Sequence, residues 1–246
     1  MGTPKQTFYA NQAASIIKKL EARKMKGYYC ATIEEAKAKV VELLGNKSKS
    51  VAYGGSMTID ENGFKDSITA AGHKLIVREN YKTPEETKEL KALQINADDF
   101  LMSTNAITLD GELVNIDGRG NRVCYLIYGP DEVIVVAGMN KVVANVDDAI
   151  RRIRNEATPP NCNRLNCDTP CAVTGKCGQK LLRNLRCSVI VFFSFFGKQD
   201  KFVALIIIII VNYYKSFAFK FSNKDSSCGF IPVDFFGKFT HRHFIV

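Results

Sequence analysis

Hydrophobic and polar positions along the first 157 residues alternate between the spacing of helices and that of strands. Thr32 with Glu35, and Thr83 with Glu86, form capping-box patterns ahead of stretches with helical spacing. Asn145 occupies a third N-cap position, with two acidic residues in the turn that follows. These signals predict helices over residues 7–24, 32–45, 83–95 and 145–157.

Short apolar runs between the helices predict strands over residues 50–55, 74–79, 100–104, 112–117, 122–128 and 133–137. Strands that alternate with helices of about 10–15 residues form a largely parallel sheet covered on both faces. The sequence therefore predicts an α/β fold with a mostly parallel sheet. Asp110-Gly111 is a hairpin-turn signal and indicates an antiparallel pair in the middle of the chain.

Composition divides the chain near residue 178. Of the 16 Phe residues 13 follow residue 190, and no Glu follows Glu156. We expect residues 1–178 to form the α/β domain, with a cysteine-rich segment at 158–178, and residues 179–246 to form an atypical tail. Two interpretations of the tail stay open: a β-hairpin built from VIVFFSFF and FVALIIIIIV, or a frameshifted reading of AT-rich DNA.

The formal net charge of +9 comes mostly from the tail. Residues 1–178 carry 24 Lys and Arg against 22 Asp and Glu, so the sequence does not predict the clustered basic face that nucleic acid requires. The opening MGTPKQTFYANQ lacks the apolar core of a signal peptide, and neither apolar run of the tail reaches the ~20 residues of a membrane-spanning helix. We expect a cytoplasmic protein without a membrane span, whose eight cysteines are thiols or metal ligands.

The segment YGGSMT predicts an anion site at the end of a buried strand. Gly54 and Gly55 leave the backbone N–H groups accessible, and Ser56 and Thr58 add hydroxyls at a helix start. A tight turn with Ser56 as an ordinary cap is the alternative interpretation. Lys141 directly follows another strand, where a lysine pairs with an anionic ligand or, when desolvated, acts as a nucleophile or base; a surface lysine is its alternative.

A second group of polar residues gathers in the stretch STNAITLDGELVNIDGRGNRV. Asn115 and Asp117 share one strand face, and together with Asn105 they predict a site for a small polyhydroxylated or acidic ligand. Turn formation explains Asp110 and in part Asp117, but not the two asparagines. The candidate ligand-binding residues of this stretch are Thr104, Asn105, Asp110, Asn115, Asp117, Asn121 and Arg122.

Four cysteines follow within 16 residues of each other: Cys162, Cys167, Cys171 and Cys177. Clustered thiolates suit zinc or an iron–sulfur cluster. Their spacings match neither the paired cysteines of zinc ribbons nor the ferredoxin run, and free structural or redox-active thiols are the alternative.

The motifs GGSMT, STNAIT-DG-LVNIDG-GNRV, YGP-VIVVAG-NK and TPCAVTGKC occur in the order found in the LUD-domain family, the lactate-utilisation-associated proteins of bacteria. The resemblance covers about residues 8–178. It implies a three-layer α/β sandwich similar to the sugar-phosphate isomerase and CoA-transferase superfold, in which strand ends hold a phosphate, carboxylate or CoA-linked substrate. Carried over by motif, the pocket comprises Gly54, Gly55, Ser56, Asn105, Asp110, Asn115, Asp117, Asn121, Arg122 and Lys141.

The resemblance implies a protein of lactate or related small-acid metabolism that binds a small anionic metabolite at the strand ends. Asp117 and Lys141 are the candidates for catalytic roles in an unknown reaction. The alternative is a non-catalytic accessory subunit that binds an iron–sulfur cluster or zinc, since some relatives act beside iron–sulfur oxidoreductase partners. Relatives carry an Asp-Cys pair where this chain has Gln179-Lys180, and the resemblance fades from there.

Overall fold

Two β-sheets organise the part of the chain that the structure describes. The structure is a computed structural model that describes residues 3–177 in full and the backbone of two further strands. The helices are α1 (Pro4–Ala22), α2 (Ile33–Leu44), α3 (Met57–Asp60), α4 (Phe64–Ala70), α5 (Pro84–Ile95), α6 (Asn121–Ile127), α7 (Val146–Arg152), α8 (Thr158–Arg164) and α9 (Pro170–Thr174). The strands are β1 (Ser50–Tyr53), β2 (Lys74–Leu75), β3 (Asp99–Met102), β4 (Ala106–Thr108), β5 (Leu113–Asp117), β6 (Glu132–Val135), β7 (Val142–Val143), β8 (Val189–Phe195) and β9 (Ala204–Ile209).

The first sheet has the strand order β2-β1-β3-β6, and all its pairs are parallel. Successive strand residues face opposite sides, so Val51 and Leu101 pack against α2 and α4 while Ala52 and Phe100 pack against α5 and α6. Helices thus cover both faces, as expected for buried parallel strands. The predicted α/β fold with a parallel sheet between helix layers is confirmed.

The second sheet has the order β7-β4-β5-β8-β9 and is mixed. Strands β4 and β5 form an antiparallel pair around Gly111, whose φ of +78° suits glycine. Helix α1 packs on one face through Ile16, and α7 packs on the other through Ala149. Strand β8 pairs antiparallel with both β5 and β9. The domain boundary expected at residue 178 stays a prediction.

Local capping signals determine where three helices begin. The side chains of Thr32, Thr83 and Asn145 each accept a backbone N–H from the first turn, and Glu86 completes a capping box with Thr83. These contacts confirm the helix starts predicted from the same residues. None of the helices within the described residues is long and apolar enough to cross a membrane.

The strand predicted over 122–128 is wrong, because residues Asn121–Ile127 form helix α6. The carboxylate of Asp117 accepts the N–H groups of Arg122 and Val123 and so caps this helix from the preceding strand. The strand predicted over 74–79 is shorter than expected and gives way to a 3₁₀ turn at Arg78–Asn80. The cysteine-rich segment contains α8 and α9.

Helices α7 and α8 form one helical run, joined by a wide π-helical turn at Ile153–Ala157. Pro159 and Pro160 follow this turn. Because proline lacks an N–H and its ring crowds the carbonyl four residues earlier, regular α-helical hydrogen bonding cannot pass through this point. The π turn accommodates the interruption without ending the helix.

Candidate functional site

The carboxyl ends of parallel strands β1, β3 and β6 bring three segments together at one edge of the first sheet. Thr58 lies in the first turn of α3, which follows β1; Ser103 is the residue after β3, and Lys141 ends a 3₁₀ turn after β6. The Lys141 ammonium donates hydrogen bonds to Thr58 Oγ1 at 2.7 Å and to Ser103 Oγ at 2.6 Å. Ligands of open α/β sheets bind at this edge, so the three residues mark the candidate site.

Lys141 carries its charge in unfavourable surroundings. Burial, together with the positive charges of Arg152 and Arg122, lowers the pKa of Lys141 to about 8. Among the ion pairs of the described residues, none joins Lys141 to a carboxylate. A positive charge with two hydroxyl partners and two cationic neighbours favours an anion from outside the chain.

Arg122 is held rigidly beside this lysine by Asp117. Arg122 Nε donates to Asp117 Oδ1 at 2.7 Å, and the terminal guanidinium nitrogen approaches the same oxygen at 2.5 Å. Asp117 Oδ2 also accepts the backbone N–H of Arg122 at 3.0 Å. The Asp117 side chain is 6% exposed, and the Arg122 side chain is 14% exposed. Asp117 therefore fixes the position of Arg122 and the start of α6 together.

Two amides connect the second sheet to Arg122. Asn105 Oδ1 accepts from the Arg122 guanidinium at 3.1 Å and from the backbone N–H of Ile116 at 3.0 Å. Asn115 Oδ1 accepts the backbone N–H of Asn105 at 3.1 Å. Asn115 is 1% exposed, and its Nδ2 has no hydrogen-bond partner within the described part of the chain. An orphaned amide N–H next to this network is available to an acceptor.

Arg152 extends the site from α7. Its Nη1 donates to the Asn105 carbonyl at 2.6 Å, and its Nε donates to the Asn140 carbonyl at 3.0 Å. Glu156 lies 3.8 Å from Nε. An open concavity of about 370 Å³ between β7 and α7 is lined in part by Arg152 and Asn140. Arg152 therefore links the Lys141 site to an exposed surface.

The two glycines of the β1–α3 loop allow arginine side chains to approach the backbone. A Cβ atom on Gly54 would lie 3.2 Å from the Arg122 Cγ and Cδ atoms and 3.4 Å from Phe100 Cζ. A Cβ atom on Gly55 would lie 3.4 Å from a guanidinium nitrogen of Arg78. Any other residue at position 54 would require the Arg122 side chain to shift by a few tenths of an ångström.

Four sequence-predicted residues lie outside this cluster or serve local structure. Asp110 is exposed at the β4–β5 turn, where its carboxylate pairs with Lys19 of α1 at 3.4 Å. Asn121 is exposed at the start of α6. Ser56 occupies the N-cap position of α3 without a side-chain cap bond, and the Thr104 hydroxyl donates to the Ala106 carbonyl at 2.8 Å.

Three residues of the site were not singled out from the sequence: Ser103, Arg152 and Arg78. Ser103 precedes Thr104 at the end of β3, so the sequence predicted this region of the site. It did not predict the hydrogen bond between Ser103 and Lys141. Arg152 lies in a helix whose charge pattern is that of an exposed surface, and no sequence signal marks its contact with Asn105. Arg78 lies next to Gly55 from the 3₁₀ turn that follows β2.

The four clustered cysteines form a pair of buried thiols with two flanking ones. Cys162 and Cys171 are buried with their Sγ atoms 3.5 Å apart, and burial raises the pKa of Cys162 to about 12. Cys167 and Cys177 are half-buried. Over the residues that the structure describes, no three cysteine, histidine or acidic side chains converge as a metal site would require. The metal role of these cysteines therefore stays a prediction.

Fold and site together define an α/β protein with a cationic cluster at the carboxyl edge of a parallel sheet. The chain belongs to the LUD domain family, because the model of the LUD domain matches residues 13–203. This family is associated with lactate utilisation, and the match continues through β8, beyond the boundary expected at residue 178. No significant match occurs among curated proteins or among solved structures.

Proposed function

We propose that the protein binds a small anionic metabolite at the edge of the first sheet where Lys141, Thr58 and Ser103 meet. The environment of the Lys141 ammonium supports this proposal: the group is half-buried, donates to two hydroxyls and lies next to Arg152 and Arg122. An anion bound there removes the unfavourable electrostatic energy of a desolvated charge.

The charges of the site favour a monoanion such as a carboxylate over a phosphate dianion. Arg122 already pairs with Asp117, and Arg152 donates to two backbone carbonyls beside Glu156. Lys141 supplies the positive charge that the described ion pairs leave uncompensated. A sugar phosphate or a CoA-linked acid remains within the proposed ligand class where its carboxylate or phosphate occupies this position.

Thermal unfolding with added L-lactate, acetate and inorganic phosphate tests the proposal. A ligand at one hundred times its Kd stabilises the native state by ~2.7 kcal/mol. We expect L-lactate to raise the Tm of the wild-type protein and of Lys65→Met, but not of Lys141→Met. Lys65→Met is the matched control. It removes the same charge as Lys141→Met, but from a lysine that pairs with Asp60 at 2.5 Å. Equal responses of all three proteins would refute the site.

The alternative function as an iron–sulfur or zinc accessory subunit has less support. The buried thiol pair offers two close ligands, whereas structural zinc uses four. Partnership with iron–sulfur oxidoreductase subunits rests on the family alone. Metal analysis of anaerobically purified protein tests this alternative, and stoichiometric iron or zinc would favour it.

A further inference from the structure

The Lys141 amine contacts two hydroxyl groups, whereas two other half-buried lysines contact carboxylates. Lys65 pairs with Asp60 at 2.5 Å, and Lys49 pairs with Asp99 at 3.0 Å. A permanent carboxylate partner within the chain keeps the amine protonated, and an ammonium has no lone pair with which to attack a carbonyl group. Lys141 instead faces two hydroxyls, which act as donors or acceptors and so tolerate the neutral amine as well as the ammonium.

We propose that Lys141 forms a reversible protonated imine with the carbonyl group of a small oxo acid, a compound that carries both a ketone or aldehyde and a carboxylate. This inference rests on the proposed anion site, since the carboxylate is held there by charge. A lysine next to another cation is a known arrangement for such nucleophiles. The neighbouring cations attract the carboxylate and therefore also concentrate the carbonyl compound at the amine.

The condensation needs no oxidant and no reactant other than the amine and the carbonyl compound. The neutral Lys141 nitrogen attacks the carbonyl carbon and the carbonyl π bond breaks; the nitrogen then loses one proton and the oxygen takes up one to give a carbinolamine. The hydroxyl takes up the proton that the ammonium released when it became neutral, the carbon–oxygen bond breaks and the oxygen leaves as water. A carbon–nitrogen double bond forms with one proton on nitrogen. In total, an ammonium and a carbonyl compound give a protonated imine and one water.

The geometry supplies groups for the proton transfers in these steps. Thr58 Oγ1 and Ser103 Oγ flank Nζ at 2.7 and 2.6 Å, so a proton leaving the nitrogen has a hydroxyl oxygen within hydrogen-bonding distance. Ser103 is buried, whereas Thr58 is half-exposed. Thr58 is therefore the hydroxyl that exchanges protons with solvent. With a pKa of about 8, Lys141 is neutral in about one molecule in ten at neutral pH, compared with far fewer for an ordinary lysine.

Borohydride trapping with pyruvate as the probe tests the imine. Reduction of the carbon–nitrogen double bond converts it to a stable secondary amine, which adds the mass of one pyruvate less one water plus two hydrogens. We expect peptide mass analysis to locate this adduct at Lys141, at a level at least ~10-fold above Lys65, in line with the shift in pKa. L-lactate under the same conditions is the control, because it has a carboxylate but no carbonyl group.

The Lys141→Arg variant separates this inference from the proposed anion site. Arginine keeps the positive charge, so we expect L-lactate still to raise the Tm, while the pyruvate adduct at position 141 disappears. The Lys65→Arg variant should be trapped as the wild-type protein is. Stabilisation by pyruvate and L-lactate without an adduct at Lys141 would overturn the imine and leave the anion site standing. Absence of both effects would overturn the two proposals together.

Discussion

The Lys141→Met substitution should stabilise the unliganded protein near neutral pH. The pKa of Lys141 falls from its ordinary value of 10.5 to about 8 in the folded chain, which corresponds to about 3 kcal/mol at 1.36 kcal/mol per pKa unit. The lysine is only half-buried, so solvent screening reduces this figure to about 2 kcal/mol. Loss of the hydrogen bonds to Thr58 and Ser103 offsets about 1 kcal/mol of it, leaving a net gain of about 1 kcal/mol.

The pH dependence provides a sharper test than the gain itself. Below pH about 8 Lys141 is protonated in the folded and the unfolded chain, and the folded state bears the full electrostatic cost. Between pH about 8 and 10.5 the folded state has lost the proton that the unfolded state keeps, so the stability of the wild-type protein rises relative to the variant. Above that window the cost is gone. The neighbouring charges at the site are Arg152 and Arg122.

Urea unfolding of both proteins across this pH range measures the difference directly. The buffer must contain no carboxylate or phosphate, since a bound anion would remove the effect. Subtracting the two curves removes the titration of every group that the proteins share. Parallel curves would show that Lys141 is an ordinary solvated lysine, and the electrostatic argument for the site would then be wrong.

Three further predictions concern the surroundings of the site. Gly54→Ala should shift the Arg122 side chain by a few tenths of an ångström, so we expect L-lactate to raise the Tm somewhat less than in the wild-type protein; an unchanged response would show that binding does not depend on the exact position of Arg122. Asp117→Asn leaves the largely buried Arg122 guanidinium without its carboxylate partner. We therefore expect urea denaturation to show a loss of about 3 kcal/mol in the free energy of unfolding. A loss below about 1 kcal/mol would contradict the stabilising role of the Asp117–Arg122 ion pair. Diamide should oxidise the thiols of Cys162 and Cys171 to a disulfide, which peptide mass analysis detects. The reaction should be slow near neutral pH because burial raises the pKa of Cys162. A disulfide that still forms in Cys171→Ser would belong to other cysteines.

Signals that act within a few residues were readable from the sequence. Thr83 and Glu86 satisfy each other's backbone groups over a single turn, so the helix start follows from residue types and spacing alone. Gly111 follows in the same way from the needs of a tight turn. The parallel sheet follows from alternation of elements, which is a property of the whole chain.

Helix α6 could not be read in this way. Its residues NRVCYLI are rich in β-branched and aromatic side chains, which favour a strand. The helix forms because Asp117 caps it from five residues away and because Tyr125 packs edge-on against Phe100 with ring centroids 5.3 Å apart. The contact between Tyr125 and Phe100 is tertiary and the cap lies outside the helix residues, and such contacts override local propensity.

The sequence predicted the region of the candidate site but not the contacts within it. Strand ends were expected to meet, yet the hydrogen bond from Lys141 to Thr58 spans 83 residues and depends on the order of the strands. Arg152 was missed because its helix shows charge spacing typical of a solvated face. The sequence indicated where polar groups gather, and the fold determines which of them touch.

The π-helical turn at Ile153–Ala157 has a consequence for comparing homologous chains. Such a turn holds one residue more than an α-helical turn, so deleting a residue there would restore a regular helix while the residues on either side keep nearly the same faces. Arg152 before the turn and Cys162 after it would therefore both keep their directions. A gap of one position at this turn is therefore compatible with the same sheet-edge arginine and the same cysteines in a homologous chain.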